Sequence, residues 1–472
     1  MNKEKSIKYF NAVADKRKLI RRRNSYYWND ITRYCNYFIH SESSVIEIGC
    51  GNGEMLQELK GKRKVGIDHS PAMIHNAKID FPNIEFHEMD AEDFSMDEKF
   101  DVILVSNLTG YLDDIQKCFS NLHQLCHRNT KVIITSYNYL WEPVLKFAEK
   151  IGLKLKTPDQ NWLTKADLIN LLHISGFEVY KSANRQIIPV NIPLVSWFFN
   201  KILAQLPLFN LFCINRYLFA NQNTQYLKPE EKEFTVSVIV PARNEAGNIE
   251  NSILRLPKLG KGLELIFIEG NSTDNTWETI LWAAEKYKST HHIKTGRQLG
   301  KGKGDAVRMG FQMATGDILM ILDADLTVPP EDLPKFYDVI ASGKGDFVNG
   351  SRLVYQMENN AMRFLNILGN KFFSWAFTWL LGQPFKDTLC GTKVIFRHDY
   401  ERLISNRKFF GEFDPFGDFD LIFGAYKLNL KITEVPIRYK DRTYGSTNIS
   451  RFKHGLILLR MCAFAARKIK FY

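Results

Sequence analysis

Val45-Ile46-Glu47-Ile48-Gly49-Cys50-Gly51-Asn52-Gly53 is an apolar run that breaks into three alternating glycines. It predicts a strand buried on both faces, then a tight turn into a helix. Glycine permits the left-handed backbone of such a turn and lets a ligand approach the main chain closely. A second head of this kind opens at Val238-Ile239-Val240-Pro241-Ala242-Arg243-Asn244-Glu245. Further on, the apolar run Ile318-Leu319-Met320-Ile321-Leu322 ends in Asp323-Ala324-Asp325. Two such heads, each leading its own series of strands and helices, predict two α/β units in one chain.

Outward from the first head, strands are predicted at 44–48, 64–67, 84–87, 100–105, 131–136 and 178–185. Outward from the second they fall at 235–240, 263–268, 291–294, 318–322 and 347–350. Between the two series the chain turns polar and charged, through Asn221-Gln222-Asn223-Thr224-Gln225 and Lys228-Pro229-Glu230-Glu231-Lys232-Glu233. This places domains at 1–222 and 235–472 with a linker at 223–234. A length of 472 residues with 45% hydrophobic content suits two cores.

Lys and Arg number 63 against 52 Asp and Glu, a net charge of +11. A basic balance suits nucleic acid, an anionic membrane or phosphate-bearing substrates, and does not choose among them. The clusters Lys16-Arg17-Lys18 and Arg21-Arg22-Arg23 lie in a predicted helical segment, 9–40, followed at once by Tyr26, Tyr27 and Trp28. That pattern favours a helix packed on the following domain over a nucleic-acid arm, so no nucleic-acid partner is expected. Seven cysteines without a Cys-x-x-Cys pair favour buried thiols in a reducing compartment. No apolar secretory segment follows Met1, and a cytoplasmic protein is expected. Three stretches approach the roughly 20 apolar residues of a membrane span: 186–219, 372–385 and 455–471. Lys201, Pro193 and Pro207 interrupt the first, Lys371 and Lys386 bound the second, and Arg460, Arg467, Lys468 and Lys470 lie in the third. The last two are expected to be amphipathic helices lying at the cytoplasmic face of a membrane.

At the first head the glycines alone say little. Asp68 ends the second predicted strand, where a carboxylate accepts from ribose hydroxyls, and Asp90-Ala91 follows the third. Glu47 suits an ammonium group better than a pyrophosphate. The set Glu47, Gly49, Gly51, Gly53, Asp68, Asp90 and Phe100-Asp101-Val102-Ile103 resembles the class I S-adenosylmethionine-dependent methyltransferases over about 9–220. A dinucleotide-binding fold is the alternative, but it wants a glycine where Glu54 stands. The resemblance implies a Rossmann-like fold binding S-adenosylmethionine. Gly49 and Gly51 would then flank the methionine moiety, Asp68 the ribose, and Asp90 with Ala91 the adenine. Ser106 and Asn107 would face the methyl group. His69 and His173 are bases by residue type only, and the methyl acceptor is not legible.

At the second head, two carboxylates at i and i+2 on a strand end can share one hard divalent ion, Mg or Mn, with the diphosphate it bridges. Around them stand Glu269-Gly270-Asn271-Ser272, Gly302-Lys303-Gly304-Asp305 with Arg308, and Ala314-Thr315-Gly316-Asp317. The series resembles the inverting family 2 glycosyltransferases of GT-A fold over about 234–451. The resemblance implies a UDP- or GDP-hexose donor. Pro241, Arg243, Glu245 and Glu269 would serve the nucleoside, Lys303 and Arg308 the diphosphate, and Asp323 and Asp325 the metal and nucleotide. Many relatives carry Asp-Asp-Gly-Ser where this chain has Glu269-Gly270-Asn271-Ser272, which leaves the base open. Gly350-Ser351-Arg352, Asp387-Thr388-Leu389-Cys390-Gly391-Thr392-Lys393 and Asp441-Arg442-x-Tyr444-Gly445-Ser446 look like the polyprenyl-phosphate hexosyltransferases. A phosphate acceptor is already ionised and needs arginine forks, Arg352 and Arg442; a glycan hydroxyl needs a base, Asp418 or Asp420. The reading is thus a fused transferase, or a glycosyltransferase whose first half serves only for binding or docking.

Overall fold

The computed structural model describes residues 3–151, 157, 160–223, 234–352, 364–405, 418–437, 444 and 451–471. The chain divides into two compact units, Met1–Lys228 with Lys470–Tyr472, and Pro229–Ile469. Most of the linker stretch, 224–233, lies outside the described residues.

In the first unit the strands are β1 (Ser44–Ile48), β2 (Arg63–Asp68), β3 (Glu85–Glu88), β4 (Phe100–Ser106), β5 (Cys126–Tyr137), β6 (Phe177–Arg185) and β7 (Asn215–Gln222). They form one sheet in the order β3-β2-β1-β4-β5-β7-β6. The first five run parallel, and β7 lies antiparallel to both β5 and β6. The chain leaves β1 toward β2 on one side and returns to β4 on the other. The crevice at this reversal, above the carboxyl ends of β1 and β4, is where ligands bind in such sheets.

The strand β7 was not anticipated from the sequence. It is the tail of the apolar stretch 186–219, and Tyr217, Leu218, Phe219 and Ala220 are all fully buried. A strand covered on both faces loses the alternation that marks a half-buried one.

The second unit contains β8 (Thr235–Ala242), β9 (Gly262–Glu269), β10 (His292–Arg297), β11 (Ile318–Ile321), β12 (Phe347–Ser351), β13 (Lys393–Phe396) and β14 (Ile432–Pro436). The sheet order is β10-β9-β8-β11-β13-β12-β14. β8 to β11 are parallel, β13 is antiparallel to its neighbours β11 and β12, and β14 joins β12 in parallel. Val238, Phe267, Met320, Phe336 and Val394 meet in its core. β13 and β14, with only four and five residues, also escaped the sequence reading.

The two stretches expected to lie in a membrane interface form the helices Phe364–Leu381 and Arg451–Ile469. Their packing is mixed. Phe373, Phe377, Leu380 and Leu381 are buried, with Phe377 against Phe385, Phe419 and Phe423, whereas Phe372 and Trp375 are exposed. Leu458, Met461, Ala465 and Ile469 of the second helix are buried, at the i, i+3, i+4 spacing of an inward face. No helix among the described residues is long and apolar enough to cross a membrane. Six of the seven cysteines are buried and all are free thiols.

Candidate active sites

The turn after β1 takes its shape from its glycines. Gly49, Gly51 and Gly53 have φ of 76°, 56° and 77°, values that other residues adopt only under strain. Asp68, at the end of β2, ties the turn to its neighbour: one carboxylate oxygen accepts from the Gly51 N–H at 2.8 Å and the other from the Ser70 N–H at 2.9 Å. Glu47 lies beneath, 2% exposed, and its Oε2 is buried without a hydrogen-bond partner. Burial pushes its carboxyl up to about 8, against the pull of Arg21 and Arg17.

The helix Lys3–Arg23 forms a roof that sequence reasoning placed only as packing. Asn11 Oδ1 accepts from Ser70 Oγ at 2.6 Å, Asn52 Nδ2 donates to the Ala14 carbonyl at 2.9 Å, and Lys18 pairs with Asp80 at 2.9 Å. The Arg17 guanidinium lies 3.1 Å from where a Cβ on Gly51 would stand. Under the roof is a cleft of about 430 Å³, open to solvent, lined by Ser6, Gly49, Asp68, His69, Asp90 and Ala91 among others. His69 packs edge-on against Phe10, and its ring nitrogen is 3.4 Å from Ser6 Oγ. His173 is exposed on the helix Lys165–Ile174 and lines neither this cleft nor the next.

A second cleft of about 330 Å³ adjoins the first through Tyr111 and is walled by Asn107, Tyr137, Gln160, Asn161 and Trp162. Asn107 holds φ 50°, and its amide donates to Tyr27 Oη at 3.2 Å. Tyr27 in turn donates to Asn215 Oδ1 on β7 at 2.7 Å. Ser106 is half-buried and accepts from Thr135 Oγ1 at 3.4 Å.

In the second unit, two loops interlock at the carboxyl ends of β8 and β9. Asn244 (φ 56°) accepts the Thr273 N–H at 2.8 Å, its own N–H donates to Ser272 Oγ at 3.0 Å, and the Glu245 N–H donates to Thr276 Oγ1 at 3.0 Å. Glu245 is buried and accepts from Asn248; Pro241 is half-buried and Arg243 exposed. Glu269 is also buried. Burial would raise its carboxyl, but the Ser272 N–H and Arg297 outweigh that and hold it below the usual range. Glu269 therefore organises the loop from inside.

Asp323 and Asp325 follow β11 and are both half-buried, with Ala324 between them turned inward. Lys303, first residue of the helix Lys303–Met313, meets Asp323 at 2.5 Å. Burial works to raise the Asp323 carboxyl, and Lys303, Lys393 and Arg352 together hold it down. A Cβ on Gly391 would fall 1.9 Å from Asp323 Oδ2 and 2.3 Å from Lys303 Nζ, so a larger residue there would have to push that ion pair aside. Asp325 accepts the Thr327 N–H and hydroxyl at 3.1 and 2.8 Å. No cluster of three His, Cys, Asp or Glu side chains suited to a metal exists among the described residues. Two carboxylates, with remaining ligands from diphosphate and water, still fit the way Mg is commonly held beside nucleotides. Arg308 stands 3.7 Å from Asp305, whose carboxylate accepts the Gly300 N–H at 2.9 Å.

Arg352 is engaged more tightly than a free fork. Its Nε and Nη2 donate to Asp387 at 2.7 and 2.8 Å, and its backbone N–H to the same carboxylate at 3.0 Å. Asp387, Asn349 and Glu434 extend this network beneath the site. Asp420 is half-buried in the first turn of the helix Asp418–Lys427. The Asp418 side chain and Arg442 lie outside the described residues. Tyr444 is described: its ring lies 2.6 Å from where a Cβ on Gly247 would stand, beside the Glu245 loop.

Comparison with known proteins agrees with this division. Residues 237–409 match the model of Glycosyl transferase family 2, and residues 39–176 match that of a Methyltransferase domain. The glycosyltransferase AglJ of Haloferax volcanii is 31% identical over 225 residues, 47% of this chain and 69% of the relative. The chain belongs to glycosyl transferase family 2. Dolichol-phosphate mannosyltransferase of Pyrococcus furiosus is 38% identical over 122 residues, 25% of this chain and 33% of that protein. Undecaprenyl-phosphate 4-deoxy-4-formamido-L-arabinose transferase of Pectobacterium carotovorum is 34% identical over 112 residues, 23% of this chain and 34% of the relative. The chain thus spans only about a third of the length of these last two. The family 2 unit has a GT-A-like fold, and the unit before it has the methyltransferase fold.

Proposed function

We propose that the family 2 unit transfers a hexose, with inversion, from a UDP- or GDP-sugar to a polyprenyl phosphate at the cytoplasmic face of a membrane. The observation that carries the reading is the cluster at the end of β11. There Asp323 meets Lys303 at the start of a helix, with Lys393 and Arg352 also around it and Asp325 two residues on. A helix N-terminus with a lysine suits a diphosphate, and two carboxylates suit the ion bridging it. Lys303 neutralises Asp323 at 2.5 Å, and the pair could part if Asp323 held the ion and Lys303 the diphosphate. Arg243 at the loop rim, with Pro241 and the buried Glu245 and Glu269 behind it, would shape the nucleoside pocket, and Arg308 would supply further charge. Relatives named for dolichyl- and undecaprenyl-phosphate chemistry support the lipid-phosphate acceptor. Arg352, held by Asp387, acts as a fixed charge; Arg442 remains the candidate for a free fork, and Asp420 or Asp418 the base if the acceptor is a hydroxyl.

The methyltransferase unit is proposed to bind S-adenosylmethionine, which supplies an electrophilic methyl group when bound. The unpartnered Oε2 of Glu47 suits its ammonium, the turn of Gly49, Gly51 and Gly53 its methionine moiety, Asp68 its ribose, and Asp90 with Ala91 its adenine. Ser106 and Asn107 would face the methyl, and the acceptor would enter the second cleft, which Asn107 lines. The test incubates the full chain with radiolabelled UDP- and GDP-hexoses, Mg or Mn, and polyprenyl phosphate, followed by organic extraction. Label in the lipid phase supports the reading; label only in water-soluble glycan returns the alternative with a hydroxyl acceptor.

A further inference from the structure

The methyltransferase unit carries an apolar ridge that its own fold leaves uncovered. Two segments build it, 139–151 after β5 and 194–212 before β7. They are fastened side by side: Trp141 Nε1 donates to the Phe212 carbonyl at 2.8 Å, and Asn138 Nδ2 donates to the Leu211 and Cys213 carbonyls at 2.8 and 3.0 Å. Phe147, Leu194, Trp197, Leu208, Leu211 and Phe212 are 61, 82, 54, 69, 56 and 56% exposed. Scattered exposed leucines are ordinary on a protein surface, but a contiguous run of large aliphatic and aromatic side chains marks a surface that something covers.

Charge indicates what covers it. Residues 186–212 contain Lys201 and no carboxylate, while 139–151 balances Glu142 and Glu149 against Lys146 and Lys150, with Glu142 pairing with Lys146 at 2.5 Å. Asn200, within the ridge, donates to Tyr26 Oη at 3.1 Å, which places the end of the helix Lys3–Arg23 beside it. Arg22 and Arg23 in that last turn are exposed, as is Lys150 at the end of the other segment. An apolar ridge rich in Trp, Phe and Leu, collared by Arg and Lys, has the chemistry of an element seated at the boundary of an anionic bilayer.

We propose that the methyltransferase unit docks on anionic lipid through this ridge. The ridge belongs to the first unit, and the proposal does not depend on the sugar-transfer reading.

The experiment is co-sedimentation of the purified full chain with vesicles of phosphatidylcholine alone and with one third phosphatidylglycerol. The wild type is expected to sediment with the anionic vesicles. Leu194→Glu/Leu208→Glu is expected to lower the partition coefficient at least tenfold, with S-adenosylmethionine calorimetry and the melting profile unchanged. Arg22→Glu/Arg23→Glu, at two exposed positions, is expected to remove the preference for anionic vesicles. The Arg variant decides the question if the Leu variant fails to fold. Failure of the wild type to bind vesicles, or binding unaltered in the variants, overturns the proposal. Self-association of the wild type that the Leu variant abolishes, without vesicle binding, would assign the ridge to a second copy instead.

Discussion

Glu47 is held neutral by its burial, beneath the glycine turn, with Oε2 lacking a hydrogen-bond partner. Its raised carboxyl carries a stability cost that grows with pH. The folded form keeps its proton up to about 8, whereas an unfolded glutamate loses it near pH ~4.3. Stability from this group is therefore full below the unfolded value and is lost as pH rises through the folded one. Glu47→Gln is expected to melt above the wild type at pH 9, with the gap closing toward pH 5 in calorimetric scans. The same variant should bind S-adenosylmethionine roughly 10- to 100-fold more weakly, the value of a charge-assisted hydrogen bond. An ammonium beside Glu47 must drive its proton off, so wild-type binding at pH 7 should release close to one proton. The release shows as a binding enthalpy that differs between phosphate and Tris buffers. At the other site, Asp325→Ala should cut sugar transfer by at least about 100-fold, and chelation should do the same, since either removes the ion that would neutralise the charge developing on the leaving diphosphate. Gly391→Ala places a carbon 1.9 Å from Asp323 Oδ2 and is expected to abolish nucleotide-sugar binding in calorimetry.

Two elements matter more than their sequence signals suggested. The helix Lys3–Arg23 was legible as helical and basic, but its role as a roof depends on Asn11, Ala14, Arg17 and Lys18 meeting residues 34 to 62 positions away. No local pattern carries such pairings. Asn11→Ala removes the acceptor for Ser70 Oγ and the Ala72 N–H and should weaken S-adenosylmethionine binding several-fold while the second unit's nucleotide binding stays unchanged. The strand β7 is the second case. Its apolar run continued from a stretch that resembled a membrane segment, and only pairing with β5 and β6 reveals it as the middle of an antiparallel edge. Phe219 on this strand is fully buried and lies 4.1 Å from the Lys181 amine over its ring. Phe219→Ala should lower the stability of the first unit by about 3–5 kcal/mol in denaturant titration.

At the scale of the molecule, two units with separate cores are expected to respond separately to ligands. In calorimetric scans S-adenosylmethionine should raise one transition, and UDP or GDP with Mg or Mn the other, each by mass action on its own folded unit. The sequence by itself determined the parallel strands and their glycine and carboxylate turns, because apolar runs, Gly spacing and the positions of Asp68 and Asp323 are properties of consecutive residues. It named the glycines' neighbours on the same loop. Only the tertiary structure decided which distant groups complete each site: Arg17 over Gly51, Lys303 and Gly391 on Asp323, and Asp387 closing on Arg352. These depend on long-range packing and on where buried charge finds its partner, and neither follows a period along the chain. The apolar stretch 186–219 divides the same way, since whether a leucine is core, lipid-facing or strand is set by what folds back to cover it.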